Sequence, residues 1–324
     1  MKTYEEKDAL PHAATGDEWW QESVVVTWWD EDAGLGGFIR LGHEVGQGVA
    51  TAWVGATTAD GRRFRYYEPA LPLEDADRDG DGFVVRAADG PVASALLEDG
   101  ALRWRITRPG FEADMTVTDF HSMTNLWQLG ATGSLAEEFA PDHWEASGRL
   151  QGTVRLGGST YDLNALCHRD HSWGTRRWNT VRTHRWVAGT VGPELSFCAI
   201  TWYSIDGQLV REAYVHRDGE LLRADSVDVL AFVEIDGISC RGGRVALDLP
   251  GGTALSLECT AVDGFVFPHR NVACVDTLSR VRTSSGQTGF CDFETTHNSR
   301  DGNSPVTLAV GANLENGLSQ RPGR

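Results

Sequence analysis

The stretch Asp79–Thr118, DGDGFVVRAADGPVASALLEDGALRWRITRPGFEADMTVT, decides the fold class. It holds four Asp-Gly pairs, at 79/80, 81/82, 89/90 and 99/100, and between them lie the β-rich runs Phe83–Ala87, Ala101–Thr107 and Ala113–Thr118. Asp-Gly supplies the positive-φ positions that two-residue hairpin turns require. Working outward, six further pairs at 60/61, 206/207, 218/219, 236/237, 263/264 and 301/302 punctuate runs such as Ser23–Trp29, Gly148–Leu156, Tyr161–Cys167, Ser196–Tyr203, Val272–Val281 and Phe290–Thr296. Several of these alternate apolar and polar residues with period two, as half-buried antiparallel strands do. One helix is expected, Ser134–Trp144, where Ser134 and Glu137 form a capping-box pattern and Pro141 limits the segment. The class read from these signals is all-β, with antiparallel barrels or sandwiches and few short helices.

Strand-rich stretches flank a polar, Arg-rich segment, Arg169–Arg185, and each side is long enough to close its own sheet. The expected organisation is therefore two β domains, 1–180 and 181–324, with a polar, loose tail after Asn298.

Composition removes whole chemistries. Lys2 and Lys7 are the only lysines in 324 residues, against 27 arginines. No lysine beyond the N-terminal stretch is available for a Schiff base, a phosphate loop or a kinase strand. The net charge of −17 argues against nucleic acid and anionic membranes, which need a cationic footprint. The six cysteines contain no C-x-x-C pair and do not form a disulfide framework. No apolar leader opens the sequence, and no run reaches the roughly 18 residues of a membrane span. A cytoplasmic setting is expected.

The densest chemistry is Cys167-His168-Arg169-Asp170-His171-Ser172-Trp173-Gly174. Following a strand, it is expected at the strand end or in the loop leaving it. Strand parity puts Asn164, Leu166, His168 and, if the strand runs on, Asp170 on one face, with Leu163, Ala165 and Cys167 on the other. A carboxylate between two imidazoles, with an indole three residues on, suits proton transfer. Its bland alternative is a surface turn of paired Arg and Asp. Glu294, on a late strand beside Asp292, is a candidate partner base, although alternation favours a solvent-facing acid. His43-Glu44 suggests a loop at a cavity mouth or, more often, a satisfied turn. Twelve tryptophans suit an apolar ligand cavity, most of them as core. Asp75-x-Asp77-x-Asp79-Gly80 imitates an EF-hand opening, but Arg86 stands at its twelfth position, so a solvated hairpin loop is expected. His168-Arg169-Asp170 spells the kinase tripeptide without a kinase context. Cys167, His168, Asp170, His171 and His184 could serve as metal ligands, but their spacing matches no standard zinc pattern.

Gly148-Arg149-Leu150-Gln151-Gly152, the strand Tyr161–Cys167 and Asp170-His171-Ser172-Trp173-Gly174 together resemble the signature of the carotenoid 1,2-hydratase (hydroxyneurosporene synthase) and AttH-like group. That group carries a glycine-bounded strand pair followed by D-H-x-W-G, with Asn or Glu usually standing where this chain has Ser172. The resemblance implies two lipocalin-like β domains. It also implies a cofactor-independent hydratase or dehydratase, isomerase or cyclase acting on a hydrophobic isoprenoid, steroid-like or polyketide substrate. Within that expectation Asp170 is the acid, and His171 orients or reprotonates it with His168 as the weaker alternative. Trp173 stabilises a neighbouring carbocation, and Arg169 and Arg176 must point away. Two alternatives stand beside it: a lipocalin-like carrier in which Asp170 is tied to neighbouring arginines, and a metal-dependent enzyme using His168 and His171. No cofactor is expected, and the expected partner is a hydrophobic small molecule.

Overall fold

The computed structural model describes residues 2–78, 80, 82–130, 139–270, 272–298 and 316–321. Among them the chain is nearly all strand, with no long helix, and builds two curled antiparallel sheets. It divides into two compact units, residues 1–127, 133–176 and 315–324 in one and residues 128–132 and 177–314 in the other.

The first sheet comprises β1 (Trp20–Asp30), β2 (Leu35–Glu44), β3 (Val49–Thr58), β4 (Arg62–Pro72), β5 (Gly82–Ala87), β6 (Gly90–Glu98), β7 (Ala101–Arg108), β8 (Phe111–Asp119), β9 (Thr124–Asn125), β10 (Asp142–Leu156) and β11 (Ser159–Thr175). The second comprises β12 (Val181–Gly192), β13 (Leu195–Ser204), β14 (Leu209–Arg217), β15 (Glu220–Arg223), β16 (Ser226–Val233), β17 (Cys240–Leu249), β18 (Thr253–His269), β19 (Val272–Thr283) and β20 (Thr288–Asn298). A last strand, β21 (Gly317–Gln320), returns to the first sheet and pairs with β4. Strand order is β21-β4-β3-β2-β1-β11-β10-β8-β7-β6-β5 in one sheet and β15-β14-β13-β12-β20-β19-β18-β17-β16 in the other. Each sheet therefore closes its path the same way, with its last long strand beside its first: β11 on β1, β20 on β12. No sequence repeat announces this repeated topology.

The Asp-Gly pairs act as turns where expected. Asp99 and Gly100, at φ 50 and 77, and Asp218 and Gly219, at φ 51 and 85, have the left-handed conformation at both central positions of a hairpin. Asp263-Gly264 does not turn the chain; it lies within β18, next to the register shift between Ala261 and Asp263. The pairs at 79/80, 81/82 and 301/302 involve positions outside the described residues.

Each unit has its own apolar core. In the first, Val24, Val26 and Trp28 of β1 pack with Leu163, Ala165 and Cys167 of β11 and with Phe64, Phe83, Trp104 and Leu150. A Cβ at Gly37, directly across from Trp28, would overlap its indole, so glycine there lets the ring lie flat on β2. In the second, Val187, Phe197, Val215, Leu257, Cys291 and Phe293 form the centre. All six cysteines are free and buried.

Several expectations are corrected. Within the expected helix Ser134–Trp144, residues 134–138 lie outside the described residues. Phe139 makes a bridge to Arg176, and Asp142–Trp144 open β10, where they pair with β11. For Asp142–Trp144 the ladder with β11 supplies the backbone partners that a helix would otherwise provide. The Arg-rich motif does not lie in a loop at the strand end: β11 continues to Thr175, with Arg169 on the core face donating to Asp119 at 2.8 Å. Asp77 is not solvated; it is buried and takes the Arg86 Nε hydrogen at 2.7 Å, so the arginine that spoils the EF-hand pattern serves as its partner. His43 and Glu44 are buried in β2, not in a loop or turn. In the tail, Gly317–Gln320 are ordered as β21, because the free edge of β4 accepts them.

Candidate functional site

The register of β10 and β11 sets the chemistry. His143 lies opposite Ser172, Glu145 opposite Asp170 and Ser147 opposite His168. Paired residues of antiparallel strands share a face, so these six stand together on the side away from the apolar core. Trp144 opposite His171, Ala146 opposite Arg169, and Trp173 stand on the core side. The D-H pair is thereby split, since consecutive strand residues point to opposite faces.

On the outer face, His143 Nε2 lies 3.2 Å from Asp170 Oδ2 and 3.4 Å from Glu145 Oε1. His168 Nδ1 lies 3.0 Å from Ser147 Oγ, and its Nε2 is 3.8 Å from Glu145 Oε2. Trp127 meets the His143 ring edge-on at 6.3 Å between centroids. Glu145 is fully buried, and the Asp170 side chain is 11% exposed. Two polar atoms of the pair, Asp170 Oδ1 and His143 Nδ1, are buried without a hydrogen-bond partner among the described residues.

On the core face, His171 Nε2 is 3.0 Å from Glu22 Oε1, and Tyr4 Oη is 3.0 Å from His171 Nδ1. His12 contributes Nδ1 to the same Glu22 oxygen at 2.6 Å and its backbone N–H to Oε2 at 2.9 Å. The His12 ring stacks on Trp173 at 3.8 Å and 12°. Burial alone would push the Glu22 carboxyl up, but hydrogen bonds from His12 and His171 outweigh it and hold it below the ordinary carboxylate range. Burial pushes the Tyr4 phenol up and the His43 imidazole down, the latter with Nε2 at 2.9 Å from the Val84 carbonyl.

In the second unit the closing strands carry a third cluster. His184 Nε2 is 3.0 Å from Glu294 Oε1, its Nδ1 is 2.9 Å from Thr296 Oγ1, and its ring stacks on Trp202 at 5.3 Å and 6°. Glu294 is not a solvent-facing acid; its side chain is 17% exposed, and Asp292 beside it is fully buried.

The structure thus brings His168 and Asp170 to one polar cluster, as strand parity requires. It places His171 and Trp173 on the opposite face, and Glu294 in the second unit. His143, not His171, is the partner of Asp170. The indole of Trp173 lies against His12 and not over Asp170. Arg169 is engaged by Asp119, and no arginine among the described residues pairs with Asp170. The five possible metal ligands do not converge: alternation sends Cys167 and His171 one way and His168 and Asp170 the other, and His184 belongs to the second unit. A different trio, His12, Glu22 and His171, brings three ligand atoms within 4.8 Å of one another. His143, Glu145 and Ser147 carried a signal, period-two alternation that begins in the stretch read as a helix and runs on past its end; Tyr4 and His12, in an irregular segment, carried none. A pocket of about 280 Å³ in the second unit is lined by Glu194, Arg217, Asp218 and Ser284 among others, and includes none of these residues.

Residues 5–299 match a family described as a domain of unknown function, DUF7064. No curated protein matches the sequence. Among solved structures, the chain is similar to an AttH-like protein (NE1406) from Nitrosomonas europaea, at 14% identity over 92% of this chain and 98% of that one, with a TM-score of 0.66. It is also similar to CghA, at 13% identity over 86% and 87% with a TM-score of 0.58. A third likeness is to kievitone hydratase from Nectria haematococca, at 9% identity over 92% and 96% with a TM-score of 0.56. At these identities the likeness establishes a shared fold.

Proposed function

We propose, from the premise that the chain belongs to the DUF7064 family, that it is an enzyme of the hydratase or cyclase type. In this reading it acts by acid–base chemistry on an uncharged, hydrophobic small molecule, with His143 and Asp170 handling the proton. The observation that carries the reading is the buried pair itself, His143 Nε2 at 3.2 Å from Asp170 Oδ2 and 3.4 Å from Glu145 Oε1, with His143 Nδ1 and Asp170 Oδ1 unpartnered among the described residues. The shared fold with a protein named as a hydratase supports the reaction class.

The geometry gives each group a task. Asp170 Oδ2 and Glu145 Oε1 both face His143 Nε2, so the ring keeps its hydrogen there and presents Nδ1 as a lone pair. That lone pair removes a proton from a hydroxyl, a water or an acidic carbon, and the imidazolium formed lies between two carboxylates. In the reverse direction it returns the proton to an alkene carbon or a leaving hydroxyl. The roles are therefore exchanged relative to the sequence reading: His143 carries the proton that was expected on Asp170, and Asp170 orients the ring.

A panel of terpenoid and polyketide alkenes and alcohols, incubated with the full chain in ¹⁸O-labelled water and followed by mass spectrometry, tests the proposal. Wild type should add or remove labelled water or isomerise at least one compound, and His143→Gln and Asp170→Asn should each lose about 10²–10⁴-fold in rate. Undiminished turnover in both variants, or tight binding of a compound without turnover, overturns it.

A further inference from the structure

We propose that His12, Glu22 and His171 bind one divalent transition-metal ion of the zinc type, which clips the N-terminal segment onto the first sheet. The proposal is independent of the His143–Asp170 reading, because it concerns the opposite face of β11 and is read out by binding.

Two imidazole nitrogens and a carboxylate oxygen within 4.8 Å of one another form a three-ligand set suited to zinc and its neighbours. Two of the three ligands stand on the hydrogen-bonded strands β1 and β11, and both Glu22 and His171 are buried, so their separation is set by the sheet. The third comes from the segment preceding β1.

The groups behind the ligands supply a second, separate observation. A ligating imidazole needs its other nitrogen turned to an oxygen, which fixes the tautomer and the ring. Here His171 offers Nε2 to the centre and has Tyr4 Oη at 3.0 Å from Nδ1. His12 offers Nδ1 to the centre and has Asp8 Oδ1 at 3.7 Å from Nε2. Glu22 points Oε1 at both rings, and its Oε2 is held by the His12 backbone N–H at 2.9 Å. Trp173, stacked on His12, fixes the plane of that ring. His171 and Glu22 thus have an outer partner at hydrogen-bond distance, His12 has a carboxylate close behind it, and the three inner atoms lie within 4.8 Å of one another. An ion there replaces the hydrogens by which the rings contact Glu22, and the Tyr4 hydroxyl then accepts from His171 Nδ1–H.

The full chain, stripped with a chelator, is titrated with Zn²⁺ by calorimetry and with Co²⁺ by visible absorption. Expected are one Zn²⁺ per chain, a rise in melting temperature on loading, and the intense d–d bands of a four- or five-coordinate Co²⁺. His12→Ala and Glu22→Gln should each bind at least about tenfold more weakly, and His12→Cys, which restores a zinc ligand, should recover binding. Circular dichroism without metal establishes that the variants are folded. The proposal is overturned by the absence of stoichiometric binding to wild type, by only the weak spectrum of six-coordinate surface Co²⁺, or by binding that neither substitution weakens.

Discussion

The sheets of the two units close the same way, the last long strand beside the first, and each carries a histidine–glutamate contact across that seam: Glu22 with His171 at 3.0 Å and His184 with Glu294 at 3.0 Å. They differ in which face carries it. Glu22 follows the parity of Val24, Val26 and Trp28 and lies on the core side, whereas Glu294 lies opposite to Cys291 and Phe293, away from its core. The core-side contact is completed by Tyr4 and His12 into a closed network. The outer-face pair of the first unit, His143 with Asp170, keeps one atom on each side chain unpartnered among the described residues. The contrast teaches that burial of charged groups does not by itself mark chemistry; a carboxylate–imidazole pair that keeps further polar atoms available is the better candidate for it. Closed buried networks chiefly hold a structure together.

The contrast breaks most sharply if the two faces of β11 respond alike to substitution. His143→Gln and Asp170→Asn combined should lose about as much activity as either alone, roughly 10²–10⁴-fold, because the pair acts as a unit, with folding little changed. Glu22→Gln should do the reverse, lowering the stability read by urea unfolding by about 2–4 kcal/mol through a buried acceptor lost to two imidazoles. Glu294→Gln should cost less, since its side chain is partly exposed.

Acid titration sharpens the same comparison. Glu22 is held below its ordinary 4.5, so its contribution is fully present above that value and is lost as pH falls through the lower folded value. Glu22→Gln should flatten wild-type stability in that acid range. In the second unit, burial, with Arg185 and His184 nearby, pushes the His297 imidazole down to about 4. The unfolded chain then takes up a proton first, so stability should decline from pH 6.5 down to about 4 and level off below. The decline is at most about 3 kcal/mol, and His297→Gln should remove it. The smallest effect is expected of Trp173→Phe: about 0.5–1.5 kcal/mol from the weakened stack on His12, and turnover within a few-fold of wild type. A large loss of turnover would join the two faces functionally.

Turn chemistry and alternation made the strands legible, and parity correctly grouped His168 with Asp170. What parity misses is burial on the second face. β1 and β2 are buried at every position and Asp292 of β20 is fully buried, so the rule that polar residues face water gives the wrong environment for Glu22, His43 and Asp292. His143 was hidden because the expected helix was drawn through Trp144, where β10 in fact begins at Asp142. Tyr4 and His12 reach the site through tertiary packing of an irregular segment, which leaves no periodic trace in the sequence.

The pairing of β21 with β4 also has a meaning in time. Gly317 lies opposite Arg65, about 250 residues earlier in the chain. At roughly 5–20 residues per second, that edge emerges from a ribosome on the order of 10–50 s before its partner has been synthesised. During that interval β4 is an uncapped template, and shielding from neighbouring nascent chains must come from its own arginines, Arg62, Arg63 and Arg65, charged residues of the kind that discourage edge-to-edge aggregation.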